Sequence, residues 1–248
     1  MINAYTEDQL VEQPAIGLFE DLGWETLSAV EEIFGTAGTL GRATKMEALL
    51  TGRLRAALEK LNSSLPPEAI TSAIDELTRN RSAMSIVAAN REFHTLLKEG
   101  VRVKVSDSSP QPSPQPSPKG RGGQRIERVR VIDWENPEAN DFLLVSQMSI
   151  QGPLYLRRPD LIGFVNGLPL VVVELKKPGV PAQQAFTDNL TCYKADIPAL
   201  FWGNAIMIAS NGTDSRVGSP TADWERFFEW KRIASEDELR RVSLEVMT

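Results

Sequence analysis

The spacing of hydrophobic positions changes near Gly100, from a helical period before it to alternation after it. Residues 6–21 read TEDQLVEQPAIGLFED, with Leu10, Val11, Ile16, Leu18 and Phe19 on helix-like spacing and acids following Thr6 in the first turn. This predicts an N-capped amphipathic helix that closes at Gly23 and is kinked or split by Pro14. Over residues 44–62, Met46, Leu49, Leu50, Leu54, Ala57, Leu58 and Leu61 form one apolar stripe, which predicts a second helix. Pro66-Pro67 restarts the chain, and helices are expected over residues 68–79 and 82–98. The part up to residue 100 therefore reads as mainly helical.

Beyond it the period shortens to two. Residues 101–105, 128–133 and 142–150 read as strands, with NPEAND forming a turn or short helical piece before the last of them. Residues 155–165 and 170–176 pair as a hairpin across Asn166-Gly167. A helix follows over residues 181–195, then a buried strand over 205–210 with Asn211-Gly212 as its turn. Residues 224–231 are aromatic and amphipathic, and residues 236–241 suit a last helical turn or two. The stretch SDSSPQPSPQPSPKGRGGQR cannot build a core, so residues 106–124 are expected to be a mobile, disordered insertion, more a surface loop than a proline-motif docking site. The whole chain, residues 1–248, is expected to be a single domain, with an α/β core over 125–248.

Composition narrows the class. No apolar stretch approaches the roughly 20 residues that cross a bilayer, and no signal-peptide pattern opens the chain, so a cytoplasmic location with no membrane partner is expected. Cys192 stands alone, which excludes an internal disulfide and a cysteine-based zinc cage and leaves a buried free thiol. A net charge of −6 argues against a protein that coats nucleic acid passively. It leaves room for an enzyme with acids at a metal and a local basic rim. His94, the sole histidine, lies in a helical pattern without a nucleophile signature and reads as structural. Trp224, Phe227, Phe228 and Trp230 could stack on bases, but their spacing favours packing against a sheet.

The chemistry concentrates in RPDLIGFVNGLPLVVVELKKP. Residues two apart on a strand share a face, so Glu174 and Lys176 emerge together where an apolar run ends, with Asp160 supplied by the facing arm. Two carboxylates and the backbone carbonyl of Leu175 suit Mg2+, a hard ion that takes oxygen ligands and keeps waters able to act as nucleophiles. Lys176 beside the attacked phosphate would orient or deprotonate that water and neutralise charge on the phosphoryl oxygens. This is the layout of a metal-dependent nuclease. Register imposes a condition: with a two-residue loop and unbroken pairing, Asp160 faces Val173 and the carboxylates diverge. We therefore expect a three-residue loop with Gly167 in the left-handed region, or a bulge or bend elsewhere in the arm near Asp160. Arg157, Arg158 and Lys177 flank the site as candidate phosphate contacts.

The longer string RRPDLIGFVNGLPLVVVELKKP, the following Tyr193-Lys194, the later IPALFWGNAIMIASNG and the opening TEDQLVEQPAIGLFEDLGWE together resemble the N-terminal nuclease domain of the restriction (motor) subunit of type I restriction enzymes. The resemblance covers nearly the whole chain apart from the proline-rich insertion. It implies a restriction-endonuclease-like PD-(D/E)XK fold of α/β class, a mixed central sheet flanked by helices, and magnesium-dependent endonucleolytic cleavage of double-stranded DNA. Asp160, Glu174 and Lys176 match the catalytic triad of that family. Where the family carries Gln-x-x-x-Tyr on the helix after the hairpin, this chain has Asn189 and Tyr193, an amide one methylene shorter. A first-helix carboxylate often assists in such folds, and Glu7 and Glu12 are candidates. No G-x-x-x-x-G-K-[ST] loop occurs, so ATP-driven motor domains are expected to be absent here, as in an excised domain or a truncated gene product. Implied partners are methyltransferase and specificity subunits. The competing readings are a catalytically silent truncated domain serving as an assembly scaffold, and a stand-alone repair or defence nuclease.

Overall fold

The structure, a computed structural model, describes residues 8–106 and 124–229. Its centre is a six-stranded mixed sheet in the order β1-β4-β7-β8-β9-β10. The strands are β1 (Glu25–Ser28), β4 (Phe142–Ser146), β7 (Leu161–Val165), β8 (Leu168–Leu175), β9 (Ile206–Ser210) and β10 (Ser215–Gly218). β1 runs parallel to β4 and β8 parallel to β9, while the remaining neighbours are antiparallel. The C-terminal ends of both parallel pairs fall at one edge of the sheet, the usual place for a site in such architectures.

Helix α1 (Gln13–Asp21) and the turn before it cover one face, setting Val11, Ala15 and Phe19 four residues apart against Leu144, Leu161, Val173, Leu175 and Ile208. Pro14 has no N–H for the preceding turn, and the helix is split there: Asp8–Glu12 forms a wider π-turn and the α-helix begins after Glu12. On the opposite face Ile162, Phe164, Val172, Met207 and Ala209 pack beneath Phe186, Leu190, Tyr193 and Phe201. Helices α2 (Thr51–Leu61), α3 (Pro67–Thr78) and α4 (Ile86–Glu99) form a third cluster with the separate two-stranded ribbon of β2 (Val101–Ser106) and β3 (Gln124–Val129). That cluster abuts the turn end of the β7–β8 hairpin, where Leu50 N–H donates to the Gly167 carbonyl and Asn166 Nδ2 to that of Val131. A two-residue ladder, β5 (Ile150–Gln151) with β6 (Leu156–Arg157), completes the strands.

Several sequence expectations shift. The second helix starts at Thr51, not at residue 44, because backbone carbonyls before it are taken by groups outside a helical ladder: Arg42 Nη1 donates to the Glu47 carbonyl and the distant Gln151 N–H to that of Lys45. The strand expected over 128–133 lies instead at Gln124–Val129, drawn there by pairing of Val101 with Val129. The strand over 142–150 stops at Ser146, where Gln147 turns left-handed with φ 56°. The helix expected over 181–195 opens into a π-turn over Ala185–Leu190 before α5 (Thr191–Asp196). Trp224–Arg226 makes a short 3-10 turn, after which Phe228 bridges to Val217. Trp224 and Phe227 pack on Phe186, whereas Phe228 is exposed and Trp230 lies outside the described residues. The insertion proper, Glu7 and residues 236–241 also lie outside them. His94 takes a structural place on α4, its Nε2 3.2 Å from the Asn204 carbonyl. Cys192 is a free thiol, partly rather than fully buried. Among the described residues no helix is long and apolar enough to cross a membrane.

Candidate active site

The hairpin decides whether a site exists at all. Its loop has two residues, since Val165 pairs with Leu168, and both Asn166 (φ 52°) and Gly167 (φ 77°) are left-handed, as a type I′ turn requires. The expected three-residue loop is therefore wrong. The alternative, a bulge in the arm, is what the chain uses: Phe164 pairs with Pro169 but Gly163 with Val171, leaving Leu170 as the extra residue. Pro169 cannot donate to the ladder, which favours a break there. The Leu170 carbonyl freed by the bulge is taken by Ala205 N–H at 2.7 Å and by Asn204 Nδ2 at 3.0 Å. Beyond the bulge Leu161 pairs with Val173, so one further step sets Asp160 opposite Glu174 on the same face.

Asp160 uses Oδ2 to accept the Leu175 N–H at 2.8 Å. Its neighbour Glu174 is 2 % exposed, and its two oxygens differ. Oε1 lies 3.2 Å from the Tyr193 hydroxyl and 3.9 Å from Lys176 Nζ, while Oε2 is buried with no hydrogen-bond partner. Burial pushes the Glu174 carboxyl well above the usual carboxylate range and the negative charge of Asp160 adds to this, against the opposing pull of Lys176 and Tyr193. The Tyr193 hydroxyl is raised too, first by burial and then by the Glu174 charge. Asn189 Nδ2 reaches that hydroxyl at 3.2 Å, so the shorter amide still bridges to Tyr193. The Lys176 N–H donates to the Ser210 carbonyl of β9 at 2.8 Å, which fixes the backbone of the Glu-x-Lys segment.

The basic residues separate. Arg157 is held by Asp196 at 2.6 Å, a pairing that ties β6 to α5. Arg158 is exposed and lines a cleft of about 660 Å3 with Glu12, Glu20, Thr26, Ser28, Gln147 and Asp160. Lys177 is exposed just beyond the site. Two neighbours were not singled out as site residues by sequence reasoning, Glu12 being one of two equal candidates and Gln147 unmentioned. Glu12 is 7 % exposed, and Gln147 Nε2 donates to its Oε2 at 2.9 Å and to Asp160 Oδ1 at 3.3 Å. Sequence gave little signal for Gln147, since its partners lie 135 and 13 residues away.

These oxygens fit magnesium. A buried carboxylate oxygen without a partner, beside a second carboxylate, lacks positive charge, and the donors are hard oxygens. Among the described residues no group of three or more His, Cys, Asp or Glu forms a metal cage.

A mixed sheet flanked by helices, with Asp160 and Glu174-x-Lys176 at the open end of a bulged hairpin, defines a restriction-endonuclease-like fold. The family described as the type I restriction enzyme R protein N terminus matches residues 4–226. The chain belongs to that family. It is 35% identical over 236 residues to the type I restriction enzyme HindI endonuclease subunit of Haemophilus influenzae, covering 94% of this chain and 21% of that protein. It is 29% identical over 244 residues to a putative type I restriction enzyme MjaIXP endonuclease subunit of Methanocaldococcus jannaschii, covering 96% and 22%. The chain thus spans about a fifth of the length of these relatives.

Proposed function

We infer that this chain is the magnesium-dependent endonuclease domain of a type I restriction-modification enzyme and that it hydrolyses phosphodiesters of double-stranded DNA. The observation that carries the reading is the bulge at Leu170, which turns Asp160 to the face of Glu174 and leaves a buried carboxylate oxygen without a partner. Asp160, Glu174 and the Leu175 carbonyl would hold the ion. The chemistry supplied by magnesium there is neutralisation of the phosphate and a water of lowered pKa.

This chain's own groups do the rest. Lys176, 3.9 Å from Glu174, is placed to orient the attacking water and to balance charge gathering on the phosphoryl oxygens. Tyr193 fixes one oxygen of Glu174, and Asn189 in turn fixes the tyrosine hydroxyl. Exposed Arg158 and Lys177 contact the DNA backbone, which positions a duplex without reading its sequence. Site recognition and ATP-driven translocation belong to other parts of the assembly, including methyltransferase and specificity subunits in the cytoplasm.

Two measurements test the reading. Plasmid DNA in magnesium should be cut by the protein assembled with its partner subunits and motor, and not by Asp160→Ala or Lys176→Ala in the same assembly. Calorimetric titration of the chain alone with Mn2+ should show binding that Asp160→Ala and Glu174→Ala abolish. Full cleavage by Asp160→Ala, or unchanged ion binding in both carboxylate variants, refutes the assignment.

A further inference from the structure

Asp160 and Glu12 arrive from opposite ends of the sequence, one at the start of β7 and one at the head of α1, and both are carboxylates facing the same cleft. Like charges at such a meeting point repel unless a donor stands between them. Gln147 is that donor: a side-chain amide carries two N–H bonds on one nitrogen, enough for one to each acid, at 2.9 Å to Glu12 and 3.3 Å to Asp160. With acceptors on both sides, the assignment of the nitrogen to this position follows from the partners.

The backbone is committed to the same end. β4 pairs with β7 through Ser146 and Leu161, so Gln147 falls one step further, opposite Asp160, and its N–H donates to the Asp160 carbonyl at 2.8 Å. There the chain turns left-handed, at φ 56°, a conformation that strains a residue other than glycine and persists where the surroundings over-determine it. A glycine would relieve that strain but carry no amide.

We propose that Gln147 is a positioning residue of the divalent-ion centre, holding the Glu12 and Asp160 carboxylates together from α1 and β7 so that the ion meets a formed site. The proposal rests on the nuclease reading above. Gln147 acts through its two partners: Leu175 N–H anchors one Asp160 oxygen, and the Gln147 amide steadies the other while fixing Glu12 beside it. The 3.3 Å bond to Asp160 is the longer of the two.

The test is calorimetric titration of the chain with Mn2+, together with urea unfolding, on Gln147→Gly, Gln147→Asn, Glu12→Gln and the Gln147→Gly/Glu12→Gln double variant. Gln147→Gly removes the bridge and the backbone strain together, whereas Gln147→Asn keeps an amide and a residue tolerant of the left-handed turn but shortens its reach. Both should weaken Mn2+ binding by about 10-fold or more, as loss of a partner behind a metal ligand does, while unfolding midpoints hold or, for glycine, rise. The losses from Glu12→Gln and Gln147→Gly should overlap instead of multiplying, because they break one unit. Wild-type Mn2+ affinity in both Gln147 variants, or independent multiplication of the two losses, overturns the proposal while leaving the nuclease reading intact. A wild-type chain that binds no Mn2+ sinks both.

Discussion

Glu174→Gln should make the metal-free protein more stable, and the gain should depend on pH. In the folded chain the Glu174 carboxyl is 2 % exposed, has one oxygen without a partner and sits beside Asp160. A buried polar group left unsatisfied costs about 1–3 kcal/mol, and more where it is charged. Its folded pKa is raised, so stability is fully present below the unfolded value of about 4.3 and is lost as pH rises from there through the folded value. A neutral amide removes that loss and the repulsion from Asp160. At pH 8 without divalent ions the variant should therefore exceed the wild type by about 1–3 kcal/mol, or roughly 2–12 °C in Tm for a chain of this size. Below pH 4 the two should converge. Urea unfolding at both pH values, repeated in excess Mg2+, measures this. Magnesium should raise the wild-type midpoint and leave the variant unmoved, because only a state that binds the ion is stabilised by it. A variant less stable than the wild type at pH 8, or a gap that widens on acidification, would show that the Glu174 carboxylate is well solvated and the reasoning wrong.

Two other changes probe the supports of the site. Tyr193→Phe removes the hydroxyl from Glu174 Oε1 and so should slow cleavage by about 10-fold or more in the assembled enzyme at saturating magnesium, with a Mn2+ affinity reduced but measurable. An unchanged rate would assign the tyrosine to packing alone. Gly167→Ala should destabilise the fold by roughly 2–4 kcal/mol in thermal or urea unfolding, since a left-handed alanine is strained and overpacking adds to it. The added Cβ would lie 2.5 Å from the Leu50 carbonyl oxygen and 2.7 Å from Leu54 N. A loss under 0.5 kcal/mol would mean that the turn is not clamped against α2 as described.

How far the sequence carried depended on the range of the forces involved. Local signals were legible: the helix-like spacing that includes Val11 and Phe19, the alternation of β2, and the Asn166-Gly167 turn each follow from period and backbone preference within a few residues. β1 was not, because ETLS has little pattern of its own and becomes a strand by pairing with β4, more than a hundred residues away. The onset of α2 was misplaced for a related reason. Apolar residues before Thr51 keep a helical stripe, yet their backbone groups are claimed by Arg42 and Gln151.

By itself the sequence determined which chemistry is on offer: an aspartate, a Glu-x-Lys pair at the end of an apolar strand, and an amide four residues before a tyrosine. It also set the condition for that chemistry, since a period of two makes one inserted residue the difference between converging and diverging carboxylates. Only the tertiary structure decided how the condition is met. Asn204, buried at 0 % exposure and held in a loop before β9, satisfies the carbonyl that the bulge at Leu170 frees. Packing likewise decided where Glu12 lies, since it is delivered to Gln147 as α1 docks on the sheet. Such choices turn on hydrogen bonds between segments far apart in the chain, and these take shape when the layers close.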